Sequence, residues 1–593
     1  MSFHPNDVVR RGRVAGVVVS GVLVFLLSAF FRTQVLRNEQ YSLQSEENRL
    51  RQIPTAAPRG PILDRNHKPI AENVVGYSVA LLAQSEDSLR ATLTQLRGTI
   101  QLTNKQFQDA INRFRRDRTR PAVIIQDASF DVVSVLEEHR IQFPSLIIQS
   151  APKRIYPDGE AVGAFVGYIS EIGERDLRES GGAYKAGQLV GQTGLEKQYE
   201  AQLRGREGVQ FVEVDARNRI VLNGRAREDV TPLEGPPLYT NIDLDLQGYI
   251  HQLFADTLAG AVVAMVPQTG EVLALYSSPT IDPNRFVGGV SSAYYDSLKN
   301  DPRQPLYNKA LQGQYPPGST FKLATSVIAL QDSLISFNTR MPQPCTGFYY
   351  FGNRVWHCWR KEGHGSLDLA GAIAQSCDVY FYQLGQKLTL SRLVGGGIGL
   401  GFDKKTGIDL PEESRPRFPT SFPDYFNQKY GARGWTPGEK ELNLSIGQGE
   451  NAQTVLNMAR FYSALATDGS EPTPMIRQGA VKRTKAIALP ADQLALLRRA
   501  MMGVVSEGGT AAGAAIKGVK VAGKTGTAQT LKYDKNGKPL YFAWFAGMAP
   551  AESPSIVVVV MVPNVTFEGA TSAGLATKII AHYLHVQVAN TIQ

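Results

Sequence analysis

Cysteine is scarce in this chain: three residues in 593, and all three, Cys345, Cys358 and Cys377, fall inside one short segment. An odd count clustered in one place excludes the paired-cysteine framework that staples many exported domains. Excess charge is also thin. The formal net charge is +9, modest for this length, and Lys and Arg are dispersed without a basic helix or an aromatic-interleaved stripe, which argues against nucleic acid as a partner. Gly and Pro are scattered, with no low-complexity tract and no internal repeat. The composition is that of folded globular domains, and the length calls for two or three of them.

Only one long uncharged run occurs, Val14 to Phe31, about 27 Å as a helix and just enough to cross a bilayer. Arg10, Arg11 and Arg13 precede it, whereas Arg32 and Arg37 mix with Glu39, Glu46 and Glu47 after it. The positive-inside rule therefore leaves residues 1–13 in the cytoplasm and exports the rest. A cleaved signal peptide is the alternative, with Ser28-Ala29 offering small residues, but no clean small-x-small site follows. A buried soluble helix would show a polar face, which this run lacks. Residues 33–51 are polar, with Leu36, Tyr41, Leu43 and Leu50 spaced loosely as in a helix continuing outward.

The chemistry lies in three motifs in fixed order: Ser319-Thr320-Phe321-Lys322, Ser376-Cys377-Asp378 and Lys524-Thr525-Gly526-Thr527. A serine hydroxyl is a poor nucleophile unless a base lies within hydrogen-bond reach. Residues three apart share a helix face, so Ser319 can present its oxygen to Lys322. The run Gly313-Gln314-Tyr315-Pro316-Pro317-Gly318 supplies the breakers that open such a helix, whose N-terminal N–H groups suit an oxyanion. The set resembles the Ser-x-x-Lys, Ser-x-Asn and Lys-Thr-Gly motifs of penicillin-binding proteins and serine β-lactamases.

The resemblance extends along the chain. Arg59-Gly60-x-Ile62-x-Asp64-Arg65-Asn66, Arg154-x-Tyr156-Pro157, Gly167-Tyr168 and Gly191-x-x-Gly194-x-Glu196-x-x-Tyr199 look like the boxes of class B penicillin-binding proteins. That family implies a non-catalytic, partner-binding pedestal at residues 32–235 and an α/β transpeptidase domain at 236–593, an antiparallel sheet flanked by helices. Strands are expected at 261–266, 271–276, 541–548 and 556–562, and a closing helix at 573–584. No acidic boxes of a class A glycosyltransferase occur, so glycan polymerisation is expected from a RodA-like SEDS partner.

By the same resemblance Ser319 attacks a peptidoglycan stem peptide, D-Ala leaves, and a neighbouring stem's amine resolves the acyl-enzyme. Lys322 takes the serine proton, its amine kept neutral by Lys524 and by burial. Ser376 relays protons, and Lys524, Thr525 and Thr527 hold the terminal carboxylate, with Gly526 allowing close approach. The N–H groups of Ser319 and Thr527 form the oxyanion hole, and β-lactams become covalent inhibitors. Asp378 stands where most of the family has Asn, as in the elongation subgroup, penicillin-binding protein 2. A membrane β-lactamase, a D,D-carboxypeptidase, or a catalytically silent scaffold or β-lactam sensor are the rival readings.

Cys345, Cys358, His364 and Cys377 lie at gaps of 13, 6 and 13. Three thiolates and an imidazole make a closed tetrahedral zinc set, structural because no position stays open for water. His357 is a substitute ligand, and a Cys345–Cys358 disulfide is the competing reading. Glu439-Lys440-Glu441-Leu442-Asn443 imitates the deacylating element of class A β-lactamases, but its flanks, Trp435-x-x-Gly438 and Ser445-Ile446-Gly447-Gln448-Gly449, suit a structural helix beside the cleft.

Overall fold

A computed structural model describes residues 5–37, 50–118, 120–215, 228–254, 258–567 and 571–587. Pro5–Phe31 forms helix α1, and Arg32–Leu36 extends it as a π-helical turn. Within Val9–Leu36 an 18-residue window has a mean hydropathy of 2.6, and none of that window is buried against protein. It is long and apolar enough to cross a membrane. Of the outward helix expected over residues 33–51, residues 38–49 lie outside the described residues, and Leu50–Thr55 is a strand.

The pedestal is built on a five-stranded sheet whose longest pairing joins two strands. Strand β1 (Pro69–Leu81) pairs antiparallel with β2 (Leu146–Ile155), from Glu72↔Ile155 to Leu81↔Leu146. At its outer end, helices Glu86–Thr99 and Asn104–Arg116 bury Leu89, Leu93, Leu96, Ile111 and Phe114 in a hydrophobic core of their own. At its inner end Glu196, wholly buried, takes Arg59 Nε at 2.5 Å and Arg154 Nε at 2.8 Å, while Tyr156 donates to it at 3.1 Å. The boxes Arg59-Gly60, Arg154-x-Tyr156 and Glu196 are thus members of one buried charge network. Such groups persist only when paired.

The second unit opens with α2 (Leu244–Phe254) and the hairpin β3 (Gly260–Met265) and β4 (Val272–Ser278). A helical section follows, containing α3 (Lys322–Gln331), the small hairpin β5 (Phe348–Phe351) and β6 (Arg354–His357), α4 (Asp378–Gly399), α5 (Pro437–Ser445) and α6 (Val455–Ala466). Strands β7 (Ala522–Tyr533), β8 (Pro539–Ala549) and β9 (Ile556–Val565) and helix α7 (Ser572–Tyr583) complete it. The sheet order is β4-β3-β9-β8-β7, antiparallel throughout. The run Ile556 to Val562 is fully buried because α6 and α7 pack against β9. The expected strands and closing helix are all present, with ends shifted by a few residues. Strand β7 is left at the sheet edge, beside the N-terminal turn of α3.

Candidate active site

Ser319 does not sit on the α-helix itself. Gly318–Phe321 forms a 3-10 turn and α3 begins at Lys322. The tighter turn eclipses residues three apart, which keeps Ser319 and Lys322 on one side. Three bonds clamp the turn: Gly318 N–H to Gly447 O at 3.0 Å, Tyr462 OH to Thr320 O at 2.9 Å, and Trp544 Nε1–H to Pro316 O at 2.9 Å. Thr320 and Phe321 are buried, and Ser319 alone is left half-exposed to the cleft.

Lys322 is fully buried, and its amine has three acceptors: Asp378 Oδ1 at 2.7 Å, Ser376 O at 2.8 Å and Ser376 Oγ at 3.3 Å. Among the described residues no hydrogen bond joins Ser319 Oγ to Lys322. Catalytic hydrogen bonds often tighten only once substrate is bound. Ser376 has φ +54°, a left-handed backbone that costs a non-glycine residue on the order of 1–3 kcal/mol. Asp378 begins α4, where the helix N-terminus favours a carboxylate. Its second oxygen accepts the Trp359 N–H at 3.1 Å, and the Trp359 indole N–H donates to Gln375 O at 3.0 Å. Burial pushes the Asp378 carboxyl up, with Lys322 opposing.

Lys524 is also wholly buried, and its amine donates to Thr525 O at 3.1 Å. Burial, then the charge of Lys322, holds it well below the usual lysine range. Lys322 is paired with Asp378, and Lys524 carries a depression of its own.

Alternation along β7 turns Lys524 and Gly526 toward the Ser319 turn and leaves Thr525 and Thr527 half-exposed on the other face. A Cβ on Gly526 would meet Pro317 O at 2.7 Å and Thr320 Cγ2 at 2.9 Å, so glycine is what lets strand and turn close. Thr525 Oγ1 lies 2.7 Å from Thr510 Oγ1. Thr510 and Trp359 were not found by sequence reasoning. Trp359 had a signal, adjacency to Cys358, whereas Thr510 belongs to no motif.

The cysteine segment closes into a cluster. The ligand atoms of Cys345, Cys358, His364 and Cys377 lie within 4.8 Å of one another. All three thiols are free, so the Cys345–Cys358 disulfide is not formed. His364 Nδ1 is 3.6 Å from Cys345 Sγ and 3.5 Å from Cys358 Sγ. Bond lengths of ~2.3 Å to sulfur and ~2.0–2.1 Å to nitrogen at tetrahedral angles require a separation of about 3.6 Å, so the donors fit zinc. His357 is exposed on β6, outside the cluster.

Residues 260–582 match a family model described as penicillin binding protein transpeptidase domain, and residues 54–240 one described as penicillin-binding protein dimerisation domain. The chain is 32% identical over 610 residues to a peptidoglycan D,D-transpeptidase MrdA of Haemophilus influenzae, spanning 98% of this chain and 92% of that one. The chain belongs to the penicillin-binding protein D,D-transpeptidases. The MrdA of Escherichia coli K12 is 34% identical over 476 residues, covering 79% of this chain and 73% of that one. A solved complex between penicillin-binding protein PBP2 and MreC from Helicobacter pylori shares the fold with a TM-score of 0.76 at 26% identity, over 90% of this chain and 98% of that one.

As a peptidoglycan D,D-transpeptidase of the elongation type, this penicillin-binding protein is a serine acyl-transfer enzyme. The two glutamates of the element that imitates a deacylating site have structural partners. Glu439 pairs with Arg354 at 3.0 Å, and Glu441 accepts the Leu390 N–H at 2.9 Å. Both carboxylates are engaged in holding α5 in place.

Proposed function

We propose that Ser319 Oγ is the nucleophile, adding to the carbonyl of the penultimate D-Ala of a stem peptide. Its proton passes to Lys322 Nζ, which is one turn away and is freed to accept it by giving a proton to Asp378 Oδ1 at 2.7 Å. The carbonyl oxygen, now negative, sits against the N–H groups of Ser319 and Thr527, each such donor being worth about 3–4 kcal/mol in acyl transfer. Ser376 Oγ, 3.3 Å from Lys322 Nζ, hands the proton to the departing D-Ala amine and later removes one from the acceptor amine. Thr525 and Thr527 hydrogen-bond the terminal carboxylate. Lys524, held well below the usual lysine range by burial and by Lys322, is drawn toward its ammonium form as that carboxylate arrives, because a neighbouring negative charge favours the ammonium. The observation that carries this reading is the meeting of three distant motifs: Lys322 bonded to Ser376 and Asp378, and Gly526 closed on the Ser319 turn.

We further propose that Cys345, Cys358, His364 and Cys377 hold one zinc ion. Zinc would supply a rigid four-point tie and no acid–base chemistry. The chain's own residues carry its effect: Cys358 and Cys377 adjoin Trp359 and Asp378, so fixing the sulfurs fixes the partner of Lys322. The helix α1 anchors the protein with its N-terminus in the cytoplasm and the remainder outside the inner membrane. A RodA-like SEDS polymerase supplies the glycan, in keeping with the solved PBP2–MreC complex and a solved peptidoglycan synthase complex to which this chain is similar. β-Lactams acylate the same serine.

The test is product analysis on stem-peptide-bearing glycan. Release of D-Ala with formation of a peptide cross-link is expected from the wild type and absent from Ser319→Ala. Free D-Ala without cross-link would favour a carboxypeptidase.

A further inference from the structure

The hairpin β5–β6 carries aromatic residues on both faces, and among the described residues only one face has a partner. Inward, Tyr349 is buried and donates to Gln386 Oε1 at 2.5 Å, while Trp356 meets the Tyr382 ring edge-on at 5.7 Å. Those contacts fix the hairpin to α4. Outward, Phe348, Tyr350 and Val355 are 39%, 66% and 44% exposed, and His357 beside them is exposed too. Register pairs Phe348 with His357 and Tyr350 with Val355, so the four form one continuous patch, and the two aromatic rings sit edge to face at 5.2 Å. Single exposed apolar residues are ordinary, but a contiguous set is the mark of a binding surface.

From the geometry we infer that this outward face is a glycan-binding platform, which holds the sugar strand of the substrate while a stem peptide enters the active site. This rests on the acyl-serine reading of that site. The patch chemistry suits a pyranose. An aromatic ring presents a negative face to polarised C–H groups, and the Tyr350 hydroxyl and His357 imidazole supply polar groups at the rim for sugar hydroxyls. An anionic or cationic partner is not favoured, because the nearest charge on the hairpin, Arg354, is already paired with Glu439. The position fits as well. Phe348 adjoins Gly347, whose carbonyl accepts the Cys358 N–H at 2.8 Å, and the next residue, Trp359, is 45% exposed and bonded to Gln375 O beside Ser376. A strand resting on the patch and along the indole therefore reaches the loop of Ser376, whose Oγ lies 3.3 Å from Lys322 Nζ. Tethering the polymer there raises the local concentration of its stems, as any second point of attachment does.

The experiment uses the full chain in detergent and glycan strands stripped enzymatically of their stem peptides. The wild type is expected to co-sediment with these strands, and Phe348→Ser/Tyr350→Ser to bind about ten-fold more weakly. Tyr350→Trp should bind at least as well as the wild type, and penicillin acylation should proceed at an unchanged rate in both variants. Undiminished binding by the double variant, no binding by the wild type, or loss of self-association in place of glycan binding would each overturn the platform. A wild type that binds glycan yet is not acylated by penicillin would instead overturn the acyl-serine reading.

Discussion

Replacing Lys524 with Met should make the protein more stable while abolishing its chemistry. Lys524 has no exposed surface, and among the described residues its amine makes one hydrogen bond, to Thr525 O at 3.1 Å. An under-satisfied buried polar group costs about 1–3 kcal/mol, and a side chain of similar length and volume refills the space at a cost under about 1.5 kcal/mol. The expected net gain is about 1–2 kcal/mol near neutral pH, or a rise in Tm of a few degrees. The pH dependence follows from linkage. Burial and Lys322 hold the folded amine well below its usual range, whereas the unfolded chain titrates near 10.4. Between those values the unfolded state binds a proton that the folded state does not, so wild-type stability climbs with pH and levels off above about 10.4. Methionine has no such climb. The margin of Lys524→Met over the wild type should therefore be widest near neutrality and narrow toward about pH 10. Thermal melts at the two pH values, run beside penicillin acylation, check this. A variant that melts below the wild type near neutrality, or above it by the same margin at both pH values, would refute the reasoning.

Three further outcomes are expected. Asp378→Ala leaves the wholly buried Lys322 without its 2.7 Å counter-charge and should cost about 3–5 kcal/mol in chemical denaturation, with Asp378→Asn losing less. Gly526→Ala places a methyl 2.7 Å from Pro317 O, forcing β7 off the Ser319 turn, and acylation should slow by about 100-fold with little change in the melt. Metal analysis should find about one zinc per chain, and a strong chelator should lower both Tm and the acylation rate. Absence of metal together with three titratable thiols in the folded protein would end the zinc reading.

The sequence was most legible where chemistry fixes spacing. Ser319 and Lys322 must share one turn, and Lys524, Gly526 and Thr527 must alternate along an edge strand, so short motifs announced both. The strands at β3, β4, β8 and β9 were readable because apolar runs bounded by turn residues have few other homes. What escaped was set by tertiary contact. The depression of Lys524 depends on its burial beside Lys322, and the pairing of Lys322 on the 2.7 Å approach of Asp378, and neither lies in local sequence. Trp359 and Thr510 reach the site only through folding. Ser319 opened a 3-10 turn where a plain helix start was expected, because Gly318 at φ +54° packs against Thr527 and tightens the entry. In the pedestal, Arg59, Arg154 and Tyr156 come from boxes far apart in sequence and converge on the buried carboxylate of Glu196.

The central claim is that Ser319 is the acylated residue and that its adduct waits for an amine. Intact mass after treatment with a penicillin, followed by peptide mapping, tests it directly. The account predicts one persistent adduct per chain, carried on the peptide containing Ser319 and missing from Ser319→Ala. Labelling at another residue, or rapid turnover of the drug to penicilloic acid with no adduct retained, would contradict it.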